Sequence, residues 1–190
     1  MKRSLVWAGL FAALIVLTLA GRKFLNTHSD TSSGDKPLEW RERQVGGVVL
    51  EAPGDFQGMN VDFGSADELI EKADAHKFAS RPLEIQVIRI LYKEGIELSL
   101  EGSVQGSIDG FAHQPGLQNL KHKKAGCTVS GKPAIRVSIT ANRGRGVICL
   151  EGLTILDGRT LYQIQALYEM GDRHAAEYSQ RIFGSIEVAP

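Results

Sequence analysis

Cysteine and histidine are scarce in this sequence, which limits the disulfides and metal sites that it can form. The 190 residues include two cysteines, Cys127 and Cys149, and five histidines. Two cysteines are too few for a disulfide framework. No C-x-x-C or H-x-x-x-H spacing, from which zinc sites are usually built, occurs in the chain. We therefore expect neither a bound metal nor another cofactor.

An excess of charge of one sign is also missing. The chain has 22 lysines and arginines against 22 aspartates and glutamates, so its formal net charge at pH 7 is zero. A protein of this balance has no overall positive field that would attract nucleic acid. We do not expect nucleic acid to be a partner.

Motifs typical of catalysis are absent from the sequence as well. No G-x-S-x-G segment is present, and the glycines of Arg143-Gly-Arg-Gly146 lie between two predicted strands. A phosphate-binding loop needs a helix N-terminus behind it. Glu94, Glu97 and Glu101 are more typical of a solvated surface than of a catalytic pair. The sequence therefore predicts a protein that is not an enzyme, with a hydrolase of unrecognised site as an alternative.

One long apolar run is present at the N-terminal end. Seventeen apolar or small residues, Ser4–Ala20, carry no charge and are flanked by basic residues on both sides. As a helix they would cover about 26 Å, the lower limit for crossing a bilayer. Residues 1–26 are thus either a retained signal anchor or a cleaved signal peptide. The position after Leu19-Ala20-Gly21 is Arg22 rather than cysteine, so the chain is not a lipoprotein.

This run predicts the compartment and the division of the chain. Residues 27–44 are polar, contain glycine and proline, and read as a flexible tether. Residues 45–190 are long enough for one compact domain. We expect this domain to be extracytoplasmic, either anchored in the inner membrane through the N-terminal helix or released into the periplasm or medium.

Hydrophobic periodicity predicts the elements of the domain. The first half reads as a strand over 45–53, a helix over 66–76, a buried strand over 83–92 and a helix from Leu100 to Phe111. The second half reads as a meander of strands over 135–141, 147–155 and 160–170, followed by a helix from Asp172. The predicted fold class is α+β, an antiparallel β-sheet flanked by helices and preceded by the N-terminal hydrophobic helix.

A basic cluster is the one candidate binding site. If Gly131-Lys132 forms a tight turn, Lys121 lies opposite Asn142. Six basic side chains then gather at one end of the sheet: Lys121, His122, Lys123, Lys124, Arg143 and Arg145. The cluster suits anionic headgroups or an acidic protein partner. The alternative is a solvated strand end whose charges guard an exposed edge.

The two cysteines could pair in an oxidising compartment. The same turn places Cys127 opposite Arg136, and a second turn near Gly144 places Cys149 opposite Ile139. The cysteines then lie on strands that flank a central one, about 9.6 Å apart. A disulfide needs Cα atoms within about 7 Å. This arrangement favours two small buried residues, although the sequence leaves a disulfide open.

The order of these elements resembles the PsbP-like family, which includes bacterial DcrB-like envelope proteins and a Ran-binding nucleotide-release factor. Four segments carry the resemblance: Val48-Val-Leu-Glu-Ala-Pro53, Val129-Ser-Gly-Lys-Pro-Ala134, Gly158-Arg-Thr-Leu-Tyr-Gln-Ile-Gln165 and Arg181-Ile-Phe-Gly-Ser-Ile-Glu-Val188. The resemblance implies an α/β/α sandwich and a module that binds proteins or stabilises complexes. It implies no site residues, because the family has no common active site.

These features lead to a first hypothesis and two alternatives. The first is a non-catalytic accessory module, membrane-tethered or exported, that assists the assembly or stability of an envelope complex by binding a protein partner. One alternative is the hydrolase mentioned above. The other is a carrier of a lipid or small apolar ligand, with Phe111, Tyr162 and Tyr168 lining a cavity between sheet and helix.

Overall fold

A computed structural model describes residues 39–190. The apolar run and most of the tether lie outside these residues, so the anchor and signal-peptide alternatives stay predictions. Within the described range the longer strands are β4 (Ile70–Ser80), β5 (Leu83–Tyr92), β6 (Leu117–Val129), β7 (Lys132–Arg143), β8 (Gly146–Asp157) and β9 (Thr160–Glu169). The shorter ones are β1 (Arg41–Val45), β2 (Val48–Ala52), β3 (Gln57–Gly58) and β10 (Glu187–Val188). The helices are α1 (Leu100–Ala112), α2 (Arg173–Gly184) and a 3-10 helix over Gly64–Leu69.

The strands form two antiparallel sheets. The large sheet has seven strands in the order β3-β4-β5-β9-β8-β7-β6, and the small sheet has the order β1-β2-β10. Because β1 begins at Arg41, the folded part of the chain includes residues 41–44, so the prediction that they belong to the tether is wrong. The single strand expected over 45–53 is interrupted by a turn. Val45 ends β1, and β2 begins at Val48, so the two strands form a hairpin.

Each face of the large sheet carries its own helix. Helix α1 covers one face, where Val104 and Ile108 pack with Val137 and Ile139 in a buried cluster. Helix α2 and the small sheet cover part of the other face, around Ile164. Strand alternation produces this division, because successive side chains of β7 point to opposite faces. The α+β sandwich predicted from the sequence is therefore confirmed for the described residues.

Both α-helices begin at a polar N-cap. The Ser99 side chain accepts a hydrogen bond from the Gly102 amide at 3.0 Å, and Asp172 accepts one from Ala175 at 3.0 Å. Such caps satisfy amide groups that the first turn leaves unpaired. Neither helix of the described range is both long and apolar enough to cross a membrane.

The helix expected over 66–76 is wrong. Residues 64–69 form the 3-10 helix, and no side chain caps its N-terminus. From Ile70 the chain is instead strand β4, which pairs with β5 from Ile70 to Ser80 with one irregularity between Ile70 and Lys72. Its backbone groups thus complete the ladder of β5, which is buried along most of its length, and this outweighs a weak local helix preference.

The small sheet rests on the large one through a glycine turn. Gly46 and Gly47 connect β1 to β2 with φ of 55° and 79°. A Cβ placed on Gly47 would lie 3.1 Å from a ring carbon of Tyr162. The turn therefore needs glycine for both its left-handed backbone and its close approach to β9.

Candidate functional site

Strand β6 forms a long and exposed edge of the large sheet. It has 13 residues, pairs with β7 on one side, and ends the strand order. Ten of its residues are exposed, and the other three are half-buried. We call the pair of β6 and β7 the basic hairpin. It carries the basic run predicted to bind a partner.

The register of the basic hairpin differs from the predicted one by two residues. The turn is Ser130-Gly131 rather than Gly131-Lys132, and Lys121 lies opposite Thr140 instead of Asn142. Both turn residues have positive φ, 48° and 75°. A two-residue turn of this kind matches the right-handed twist of the strands, and glycine adopts it without strain. The turn geometry therefore decides the register.

The six predicted site residues do not form one cluster. Lys121 and Lys123 point to the face that α2 shares, whereas His122 and Lys124 point to the α1 face, because strand side chains alternate. Lys124 Nζ is 3.4 Å from the Gln105 amide oxygen on α1.

The two arginines lie farther along the sheet. Arg143 pairs with Leu117 at the far end of β6, roughly 10 Å along β7 from the partner of Lys121. Arg145 lies in the next turn and is exposed. Four consecutive basic residues thus form a charged edge with two faces, and the arginines form a separate end. A binding role for these residues stays a prediction.

The α2 face of the basic hairpin is partly open and polar. Arg136, Ser138 and Thr140 alternate along β7 and are half-buried. The Ser138 hydroxyl donates to Glu151 at 2.8 Å, and the Arg136 guanidinium lies 5.0 Å from the centre of the Phe183 ring. The sequence alternates these polar residues with Ile135, Val137 and Ile139, a pattern typical of a strand with one solvent-facing side. Its neighbours on β8 and β9 could not be identified there, because strand order is not readable from local pattern.

Two titratable groups on this face are shifted by burial. Burial raises the pKa of Tyr168 to about 12, and the nearby Glu151 carboxylate adds to the effect. The pKa of the Cys149 thiol is raised for the same two reasons. Both groups are therefore protonated at neutral pH, so neither is an activated nucleophile or base.

A cleft of about 600 Å³ opens at the end of this face. It lies where β6 bulges away from β7 between Gln118 and Lys121. Its lining is mixed: Asn119, Leu120, Lys121, Thr140, Ala141, Asn142, Val147 and Met170. The Met170 side chain is 53% exposed. The cleft was not predicted, because a bulge leaves no clear mark in the local sequence.

The prediction that three aromatic residues line one cavity for an apolar ligand is wrong. Tyr162 and Tyr168 pack on the α2 side of the sheet, whereas Phe111 packs on the α1 side. The sheet separates them, so they cannot line one cavity.

The described titratable residues form separate local contacts. His76 Nε2 is 3.0 Å from Asp74, and His113 Nδ1 is 2.6 Å from the Asp109 carbonyl oxygen. Glu94, Glu97 and Glu101 are exposed. No group of three or more His, Cys, Asp or Glu residues in the range 39–190 is arranged to hold a metal ion.

The cysteines are free and lie far apart. Cys127 pairs with Ala134 and Cys149 with Thr140, six positions along β7, which is about 20 Å. The two strands flank β7 as expected. However, Cys127 is exposed, so the prediction of two buried cysteines is wrong for Cys127 and right for Cys149. The difference arises because one face of the edge strand β6 is uncovered.

This difference predicts unequal thiol reactivity. In the native protein we expect a chromogenic disulfide reagent at pH 8 to modify Cys127 within minutes and Cys149 at least tenfold more slowly, because only the thiolate reacts and burial limits access. A Cys127→Ser variant isolates the slow thiol, and unfolding in urea should then release its full reactivity. Equal rates for the two thiols in the folded state would contradict this assignment.

Comparison with known proteins identifies no family for this chain. No family model matches it, and no curated protein matches it. The PsbP-like resemblance therefore stays a prediction.

Solved structures of similar shape are found at low identity. One is PA94 of Pseudomonas aeruginosa, a protein of unknown function, with 16% identity and a TM-score of 0.41 over 75% of this chain and 92% of that chain. Another is LpqN of Mycobacterium tuberculosis, involved in cell envelope biogenesis, with 13% identity and a TM-score of 0.48 over 83% of this chain and 88% of that chain. At this level they are likenesses of fold and say nothing about activity.

Proposed function

We propose that this chain is a non-catalytic, extracytoplasmic accessory module that binds an envelope protein and thereby assists the assembly or stability of an envelope complex. Within this proposal the chain is a relative of the PsbP-like and DcrB-like proteins. The N-terminal run holds it in the inner membrane or directs its export.

The observation that carries the binding role is the exposed edge strand β6. The strand has thirteen residues, eleven of which pair with β7, and β7 is its only neighbour among the described strands. Both of its faces reach solvent over most of its length. A row of unpaired backbone groups of this length is a template for pairing with another chain. The run Lys121–Lys124 adds charge that selects an acidic surface.

The chemistry of the described side chains supports binding rather than catalysis. The pKa values of Cys149 and Tyr168 are raised, which keeps both groups protonated. The Glu151 carboxylate accepts from Ser138, and the nearby Arg136 stacks on Phe183. These groups are therefore engaged in holding the sheet together.

Crosslinking in intact membranes tests this function. A photoreactive amino acid at Ala125 on β6 is expected to yield an adduct with one envelope protein in cells that produce the full chain. Ala79 on β4 is the matched control, since it is also an exposed alanine of the large sheet, toward the opposite edge. We expect at least tenfold less of the same adduct from position 79.

Three outcomes would contradict the proposal. Repeated crosslinking could yield no adduct at position 125, or the adducts could be cytoplasmic proteins. The purified protein could also turn over a substrate, which would overturn the non-catalytic assignment.

A further inference from the structure

We propose that the outer edge of β6 binds an acidic, extended segment of a partner protein, which adds to the large sheet as an eighth strand. This inference rests on the proposed binding role and names its surface and the chemistry of its partner.

The hairpin geometry identifies the backbone groups that are free to pair. The residues that close a two-residue turn, here Val129 and Lys132, form a hydrogen-bonded pair. Hydrogen-bonded and non-hydrogen-bonded pairs then alternate along the strands. Pro133, which has no N–H, falls at a non-hydrogen-bonded position opposite Thr128, as this alternation requires. The residues of β6 whose N–H and C=O groups point away from β7 are therefore His122, Lys124, Gly126 and Thr128.

This outer row is regular and unobstructed. The register of β6 against β7 runs without irregularity from Lys121 to Val129, after the bulge at its start. Strand β6 contains no proline, and the lysines that protect its edge oppose a strand of like charge but not an acidic one. A Cβ placed on Gly126 would meet no atom within 4 Å. A second strand can therefore approach this edge along about nine residues.

The other free edges are less suitable. At the opposite end of the large sheet, β3 pairs with only two residues of β4, and the remaining edge of β4 mixes the charges of Glu71, Lys72 and Asp74. In the small sheet, the edge strand β1 has five residues and mixes Arg41, Glu42 and Arg43. Among the described strands, β6 combines the greatest length with charge of a single sign.

The charges of β6 select the partner. Lys121 and Lys123 flank one face of an added strand, and His122 and Lys124 flank the other. Acidic residues at consecutive positions of the partner would meet a cation on each face, and each opposite-charge pair stabilises the strand pairing. A second copy of β6, paired antiparallel over residues 121–129, would place Lys121 opposite Val129 and Lys123 opposite Cys127, so the lysines would have no acidic counterpart. The basic run therefore favours an acidic strand over a second copy of β6.

Peptide binding to the full chain in detergent tests the inference directly. The probe is a fluorescein-labelled decapeptide of threonine and valine with four consecutive glutamates at its centre, measured by fluorescence anisotropy. Two further peptides serve as controls: one has lysine in place of glutamate, and the other has proline at two alternate positions. We expect the acidic peptide to bind and both control peptides to bind at least tenfold more weakly.

Two variants separate strand pairing from simple charge attraction. Gly126→Pro removes one outward N–H without altering the pairing with β7, since proline is tolerated at such edge positions, and we expect it to weaken binding at least tenfold. Lys123→Glu should weaken binding of the acidic peptide and strengthen binding of the lysine peptide. Lys72→Glu, at an exposed lysine on β4, is the matched control and should change neither affinity. If Gly126→Pro does not fold, as judged by its thermal unfolding midpoint, Lys123→Glu and the proline peptide decide.

Several results would overturn the inference. These are failure of the acidic peptide to bind, binding of that peptide by Gly126→Pro as tightly as by the wild type, and binding of the proline peptide as tightly as the acidic one. Vesicles of phosphatidylglycerol could bind the chain with a loss in Lys123→Glu and none in Gly126→Pro, which would assign the edge to a lipid surface. If the peptide results are negative while crosslinking at Ala125 still yields an envelope protein, strand addition fails and the proposed function stands. If crosslinking fails, the proposed function itself falls.

Discussion

An Ile164→Ala variant is expected to lose about 2–5 kcal/mol of unfolding free energy, the largest effect that we expect from a single substitution. Ile164 lies at the centre of β9 and is 0% exposed. It packs in the cluster that joins the large sheet to α2, with Leu153 and Val87 on the neighbouring strands. Truncation removes buried methyl groups and leaves a cavity that rigid sheet neighbours cannot fill.

Urea unfolding followed by circular dichroism measures this loss. For a domain of this size the thermal midpoint should fall by roughly 4–20 °C. Met170→Ala is the control, because Met170 follows the same strand but is 53% exposed, and its truncation should change stability by less than about 0.5 kcal/mol. If Ile164→Ala were as mild as Met170→Ala, the assignment of this cluster as the core would be wrong.

Alkaline pH is expected to destabilise the protein through Tyr92. The residue is 1% exposed, and burial raises the pKa of its hydroxyl from 10.0 to about 12. A group whose pKa is higher in the folded state stabilises the fold fully below the unfolded pKa. That contribution disappears as pH rises from 10 to 12, because the unfolded chain releases the proton first. Two pKa units correspond to about 3 kcal/mol.

A Tyr92→Phe variant should lack this part of the alkaline loss. Urea unfolding of both proteins between pH 8 and pH 12 tests the expectation. The difference in unfolding free energy should be constant up to about pH 9.5 and should then shift in favour of the phenylalanine variant. The region below pH 9.5 is the internal control. If the unfolding free energies of the two proteins changed in parallel from pH 8 to pH 12, ionisation of Tyr92 would not contribute to the alkaline loss of stability.

The basic hairpin shows which part of a candidate site a sequence predicts and which part it does not. The run Lys121–Lys124 is apparent from the residues alone, and alternation along any strand divides it between two faces. Its partners across the hairpin depended on where the turn lies. Ser130 and Gly131 both adopt a left-handed backbone and form the turn. The register therefore differs from the predicted one by two residues, and the lysines lie farther from Arg143 than predicted. Composition does not report such a choice.

Strand β4 is a segment for which the local sequence pattern predicts the wrong secondary structure. The segment Ser65–Glu68 has the spacing of a helix cap, and apolar residues follow at helical intervals. Residues 64–69 form a 3-10 helix, and residues 70–80 form a strand although alanine, aspartate, glutamate and lysine are depleted in strands. The ladder with β5 decides between helix and strand, and that ladder is a contact that local periodicity does not encode.

The sequence by itself determined the alternating strands of the second half, helix α1, the α+β class and the apolar run that predicts the compartment. These follow from local rules, because side-chain periodicity and chain charge act over a few residues. The tertiary structure alone decided that β6 ends the sheet, that Cys127 is exposed, and that Tyr162 and Phe111 lie on opposite faces. Each of these depends on which strands become neighbours. That order is chosen by burial of the whole apolar surface and not by any single segment.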